Sequence, residues 1–139
     1  MPETPIPAHS VSADISRGAV QLIREYTGRG PTKARTIINH EMVAIVLADT
    51  LTKGERSLVA RGREDHVLET RRSYQSVMRD DLIALVETNT GRKVQAMLSD
   101  NHIDPDIAVE FFVLEAAGQD GASDGGQPVQ EASYSTKGK

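Results

Sequence analysis

Apolar residues in this chain switch between two spacings. From Ser12 to Tyr26 the residues Ile15, Ala19, Leu22, Ile23 and Tyr26 recur at helical intervals, with Ser12 placed to cap the helix that they predict. Gly28 then offers the left-handed position that commonly closes a helix, and Pro31 prevents its resumption. The spacing next falls to two. Thr36 and Ile38 share one face of a first strand, and Val43, Ile45 and Leu47 share one face of a second, with His40 and Glu41 as a tight turn between them. The opposite face of the second strand, Met42, Ala44, Val46 and Ala48, is also apolar, a pattern usual in strands covered on both sides.

Helical spacing returns after the hairpin. Thr52 with Glu55 has the form of a capping box, and Gly62 is expected to interrupt the helix that it starts. Val67, Leu68, Tyr74, Met78, Leu82, Leu85 and Val86 then predict a long amphipathic helix from Glu64 to near Asn89, about 40 Å in length. Two further strands follow, one carrying Val94, Ala96 and Leu98 and the other Val109, Phe111 and Val113, joined by the acidic turn Asn101 to Asp106.

The two helix-to-strand junctions, Glu25-Tyr26-Thr27-Gly28-Arg29 and Glu87-Thr88-Asn89-Thr90-Gly91-Arg92, are alike, and two strands follow each. The expected fold is therefore α+β: two tandem helix-strand-strand units forming a four-stranded, largely antiparallel sheet with helices packed on one face. Helices on one side leave surplus apolar surface on the other. Ala108, Phe112 and Leu114 on the last strand, on the face interrupted by Glu110, are read as part of that surplus together with Met42 and Val46. A homodimer or another protein is the expected cover, with Met42, Val46, Phe112 and Leu114, and with Arg72 and Arg79 from the long helix, at the interface.

Composition narrows this picture without adding a reaction. The 139 residues suit one domain, placed at 12–116, with a proline-containing leader (1–11) and a Gly/Ser-rich tail (117–139) expected to be disordered. The formal net charge of -4 leaves the body close to neutral, because Glu3, Asp120, Asp124 and Glu131, against Lys137 and Lys139, lie in the ends, so nucleic-acid binding by bulk charge is not expected. There is no cysteine, hence no disulfide and no thiol nucleophile. No apolar run approaches the roughly 20 residues that span a bilayer, and the start lacks a signal-peptide pattern. A cytoplasmic protein, with no cofactor and no enzymatic activity, is the expectation.

Candidate chemistry is confined to a few constellations. The loop Gly28-Arg29-Gly30-Pro31-Thr32-Lys33 could present amides and cations to a small anion, with Arg35, Arg92 and Lys93 in support; it lacks the ending of a Walker loop, and a helix cap with a turn is the plainer reading. A basic stripe of Arg29, Lys33, Arg35, Arg92 and Lys93 near a pseudo-twofold axis would be the nucleic-acid alternative. His40 with Glu41, and His102 with Asp100, Asp104 and Asp106, are the His/carboxylate clusters, and solvated turns explain them better than a metal or catalytic site. Arg56, Arg61, Arg63, Arg71, Arg72 and Arg79 interleave with acids as a salt-bridged helical face does.

From Gly28 to Glu115 the chain resembles the MpsC family. The shared features are Gly28-Arg29-Gly30-Pro31 after the first helix, Leu51-Thr52-Lys53-Gly54-Glu55 at a helix start, and Thr90-Gly91-Arg92-Lys93-Val94 at the second junction, followed by Ser99-Asp100 and Phe112-Val113-Leu114-Glu115. The stretch Ala60 to His66 has no clear counterpart. The resemblance implies a non-enzymatic accessory or regulatory protein, associated with a cation-translocating or inorganic-carbon uptake membrane complex and peripheral to the inner face of the membrane. A chain without a spanning segment cannot itself supply the ion pathway through helices.

Overall fold

The structure, a computed structural model, describes residues 10–116 and the backbone of Gln130–Ser135. The first helix, α1 (Val11–Thr27), is capped two residues before the expected position, so Ser10 and Val11 belong to the helix start and not to the leader. Ser10 caps it by accepting from the Ala13 amide, while Ser12 lies buried on its inner face. Gly28 closes α1 at φ 83°, its N–H bonded to the Arg24 carbonyl, and Gly91 closes the long helix at φ 70° in the same way on Glu87. A side chain would be strained at both positions, which explains why the two junctions read alike.

Strands β1 (Lys33–Asn39) and β2 (Met42–Ala48) form the expected hairpin about His40. Thr52 and Glu55 make the full capping box of α2 (Lys53–Ala60), the chain breaks helix at Gly62, and α3 (Glu64–Thr90) follows. Strands β3 (Val94–His102) and β4 (Ile107–Leu114) complete the second hairpin. Among the described residues no helix is long and apolar enough to cross a membrane.

The hairpins join through their second strands. β2 pairs antiparallel with β4, giving the open order β3-β4-β2-β1, and a fifth strand, β5 (Gln130–Ser135), pairs antiparallel with β1. Those six residues belong to the tail expected to be disordered, so that expectation does not hold for them. The rest of the tail and residues 1–9 of the leader lie outside the described residues.

Both α1 and α3 lie on one face of the sheet and against each other. That face supplies Ala34, Val43, Ile45, Leu47, Met97, Ala108, Phe112 and Leu114, which meet Ile15, Ala19, Val20 and Ile23 of α1 and Met78, Leu82 and Val86 of α3 in one core. A buried hydrogen bond of 2.8 Å between the Ser16 and Thr36 hydroxyls ties α1 to β1. Phe112 and Leu114, read from the sequence as interface residues, are 0% and 1% exposed in this core and unavailable to a partner. The reason is parity. In the β2–β4 register Val43 faces Phe112 and Ile45 faces Glu110, so the face that Glu110 interrupts is the inner one.

Candidate functional site

The outer face of the sheet is apolar across β3, β4, β2 and β1. Ile37, Ala44, Val46, Ala48, Ala96, Val109, Phe111 and Val113 are half-buried there, and Met42, Leu98 and Ile107 are exposed. Strands about 4.8 Å apart and seven residues long give this face roughly 19 by 23 Å, a footprint within the range of the largest apolar patch on a monomer, a kind of patch that is often functional. Of the expected interface residues, Met42 and Val46 lie on it. Arg72 and Arg79 do not: they belong to α3 on the other side, where Arg72 is exposed and Arg79 donates to the Met97 carbonyl at 3.2 Å within the same chain.

Charged groups flank the apolar strip in register. Arg35 pairs with Val46, Val46 with Val109 and Val109 with Asp100, so one cross-sheet row runs from a cation through two valines to a carboxylate. The rows beside it are matched in size. Ala44 lies opposite Phe111 and Ala48 opposite Ile107, so β2 is the low strand of this face and β4 the high one.

The second feature lies between the helices and the inner face. A pocket of about 470 Å³ opens among the end of α1 (Ile23, Thr27), α2 (Glu55, Leu58), α3 (Arg71, Tyr74, Gln75, Met78) and the sheet (Leu47, Asn101, Ala108, Glu110). On its inner wall Glu110 is 1% exposed. Ser99 Oγ donates to its Oε1, and Gln75 Nε2 donates to its Oε2 at 3.2 Å. Asn101 Nδ2 in turn donates to Gln75 Oε1 at 3.1 Å, fixing the amide of Gln75. Burial pushes the Glu110 carboxyl up to about 7, against the opposing pull of the Ser99 and Gln75 bonds and the Arg71 charge.

Arg71 forms the other polar wall. Its Nε and Nη2 hold Glu55 at 3.0 and 2.7 Å, while Nη1 and Nη2 reach the hydroxyl and carbonyl of Thr50 at 2.9 and 2.7 Å. Burial alone would raise the Glu55 carboxyl, but bonds from Arg71 and Thr52 and the Arg71 charge outweigh it and hold the group low. Thr50 continues the network to Asp106, which also accepts from the Leu51 amide at 2.9 Å. Arg71 is thus a half-buried clamp joining α2, α3 and the β2–α2 linker, not a member of a solvated face.

The expected anion-binding residues are dispersed. Arg29 is bound to the carbonyl and carboxylate of Asp49, at 2.7 and 3.1 Å, and Gly30 packs against Val20 of α1. Burial alone would raise the Asp49 carboxyl, yet hydrogen bonds from Thr32, Arg56 and Arg29 and the Arg29 charge hold it low. Arg92 donates to the carbonyls of His40 and Glu115, at 2.9 and 2.8 Å. Lys33 lies at the end of the sheet level with Ala48 and Ile107, whereas Lys93 adjoins Val94, level with Leu114 at the other end. The antiparallel β2–β4 joint sends the two junctions to opposite ends, so no basic stripe gathers at the centre. Arg35 remains on the outer face.

The two histidine turns are also apart. His40 stands at the β1–β2 tip, and His102 meets the Pro105 carbonyl through Nδ1 at 2.9 Å, at the opposite end of the sheet. No group of three His, Asp or Glu residues suited to a metal occurs among the described residues.

Sequence reasoning missed the Glu110 cluster. The signal was present: a single acid in Ile107-Ala108-Val109-Glu110-Phe111-Phe112-Val113-Leu114, in phase with Ala108, Phe112 and Leu114. Comparisons with curated proteins and with solved structures gave no match. The family model described as "Na+-translocating membrane potential-generating system (MpsC)" matches residues 8–116, and with most of its length covered the chain belongs to the MpsC family.

Proposed function

We propose that the protein is a non-enzymatic accessory or regulatory component of a membrane potential-generating sodium system, working at the cytoplasmic face of the membrane as a homodimer joined through its outer sheet faces. The family description motivates the setting. The observation that carries the dimer is the self-complementary outer face. A twofold axis parallel to the strands, midway between β2 and β4, lays β2 of one copy on β4 of the other at about the 10 Å spacing of stacked sheets. Phe111 then stands over Ala44 of the second copy and Ile107 over Ala48, large on small.

The same operation brings Arg35 over Asp100 twice, because both belong to one cross-sheet row on opposite sides of the axis. With five N–H donors, Arg35 can serve neighbours in its own chain and a carboxylate across the interface. Isologous contact of this kind closes at two copies and leaves no sticky surface for further growth.

Sedimentation equilibrium of the full chain tests the reading. The expected result is a dimer for the wild type and a folded monomer for Phe111→Asp. Arg35→Asp weakens the dimer and the added Asp100→Arg change restores it. A wild type that stays monomeric at high concentration overturns the proposal. Co-purification with gently solubilised membranes tests the setting separately, and a dimer that never enriches with a membrane complex would confine the reading to self-association.

A further inference from the structure

The pocket beneath α2 and α3 is independent of the dimer, being on the other side of the sheet, and its chemistry is specific. Its volume of about 470 Å³ falls within the range of small-molecule sites, roughly 300–1,000 Å³. Apolar walls come from Ile23, Leu47, Leu58 and Met78, and the polar groups converge on one side. Each oxygen of Glu110 accepts one bond, from Ser99 or from Gln75. An ionised carboxylate has about four acceptor sites, so two remain for a guest.

The other charges that face Glu110 are already matched. From α3 comes Arg71 and from α2 comes Glu55, and the two hold each other through two hydrogen bonds; α1 contributes the uncharged Ile23 and Thr27, and β3 contributes Ser99 and Asn101. Asp106 lies beyond Thr50, bound to it and to the Leu51 amide, with Arg56 at 4.0 Å. An incoming anion would therefore find Arg71, the one cation among the described lining residues, occupied and an acidic group opposite. An incoming cation would supply the counter-charge that Ser99 and Gln75 do not give an ionised Glu110. Tyr74, on α3 and 39% exposed, offers an aromatic face along the way in.

We propose that this pocket binds a small organic cation, a protonated amine on an apolar body, with its ammonium group against Glu110 and its body along Ile23, Leu47, Leu58 and Met78. The amine displaces the proton that burial otherwise keeps on Glu110, so binding strengthens as the pH rises through the neutral range.

Thermal-shift and calorimetric titrations of the full chain with n-hexylamine, 1-hexanol and hexanoate test the assignment, since the three share one body and differ in charge. Hexylamine is expected to raise the melting temperature, more at about pH 8 than at about pH 6, and to release protons on binding at the lower pH. Glu110→Gln should bind it about tenfold more weakly or worse, the loss of one charge-assisted contact. Leu58→Trp, which fills the pocket from the α2 side without touching Glu110, should also abolish the response and guards against a Glu110 variant that fails to fold. Equal stabilisation by hexanol, stronger stabilisation by hexanoate, an unchanged amine response in both variants, or no response to the amine at either pH would each overturn the proposal. Sedimentation of the two variants should remain as for the wild type, so failure here is distinct from failure of the dimer.

Discussion

The two faces of the sheet are both rich in apolar side chains, yet α1 and α3 close only one of them. The closed face is the one that contains Glu110 and Thr36, and the open face is the one whose strip from Ile37 to Val113 is uninterrupted. Hydrophobicity alone therefore did not choose the side. What distinguishes the closed face is that its polar groups have partners: Thr36 meets Ser16, and Glu110 meets Ser99 and Gln75. A buried carboxyl is tolerated where neighbours satisfy it, while an apolar strip bordered by Arg35 and Asp100 suits contact with another surface.

Neighbouring phenylalanines offer the sharpest way to break this comparison. Phe112→Ala empties a site with no solvent exposure and should cost about 4 kcal/mol of stability in urea titrations. If the cost were as small as that of a surface substitution, the assignment of inner and outer faces would be wrong. Arg71→Ala comes next: it strands Glu55 and Thr50 on the closed side, and with the pair only about one-seventh exposed, a loss of about 3 kcal/mol is expected in the same assay.

Glu110 sharpens the comparison through pH. Its folded value of about 7 lies above the ordinary 4.5, so the folded state holds the proton more tightly than the unfolded chain. Stability should fall as pH rises between those two values and level off outside them. At about 1.4 kcal/mol for each pH unit the loss approaches about 3.5 kcal/mol as an upper bound. Glu110→Gln removes this dependence, so the variant should match the wild type at about pH 4 and exceed it at about pH 8, as read by denaturation at both values. A variant less stable than the wild type at the higher pH would mean that the carboxylate is ionised and well paired in the fold. The smallest effect on the single chain is expected for Phe111→Asp, within about 1 kcal/mol for a monomer, with the proposed dimer lost. Unfolding of that variant at low denaturant would show that the outer face is part of the core after all.

Much of the closed side's framework was readable beforehand because it rests on local rules. The Thr52–Glu55 capping box, the His40 turn, the break at Gly62 and the paired glycine caps at Gly28 and Gly91 each depend on a few adjacent residues. Ser10 displaced Ser12 as the first cap because both hydroxyls lie within a turn of the helix start, and Ser12 faces the core. The pocket was not readable in the same way. Gln75, Ser99, Asn101 and Glu110 come from three elements, and only their convergence turns an apparent interruption in β4 into a satisfied buried acid.

The sequence by itself determined the α+β class, the positions of three helices and two hairpins, and the existence of a surplus apolar face. Periodicity, caps and turns encode those features within short windows. The strand order, the side on which the helices lie and the partners of Glu110 were decided only in three dimensions. Both faces of β4 alternate apolar residues, so parity alone could not assign Phe112 inward and Phe111 outward; the β2–β4 pairing and the hydrogen-bond partners carried by α3 and β3 did. The same pairing separated Arg29 from Arg92, because joining the two hairpins antiparallel through their second strands places the helix-to-strand junctions at opposite ends of the sheet.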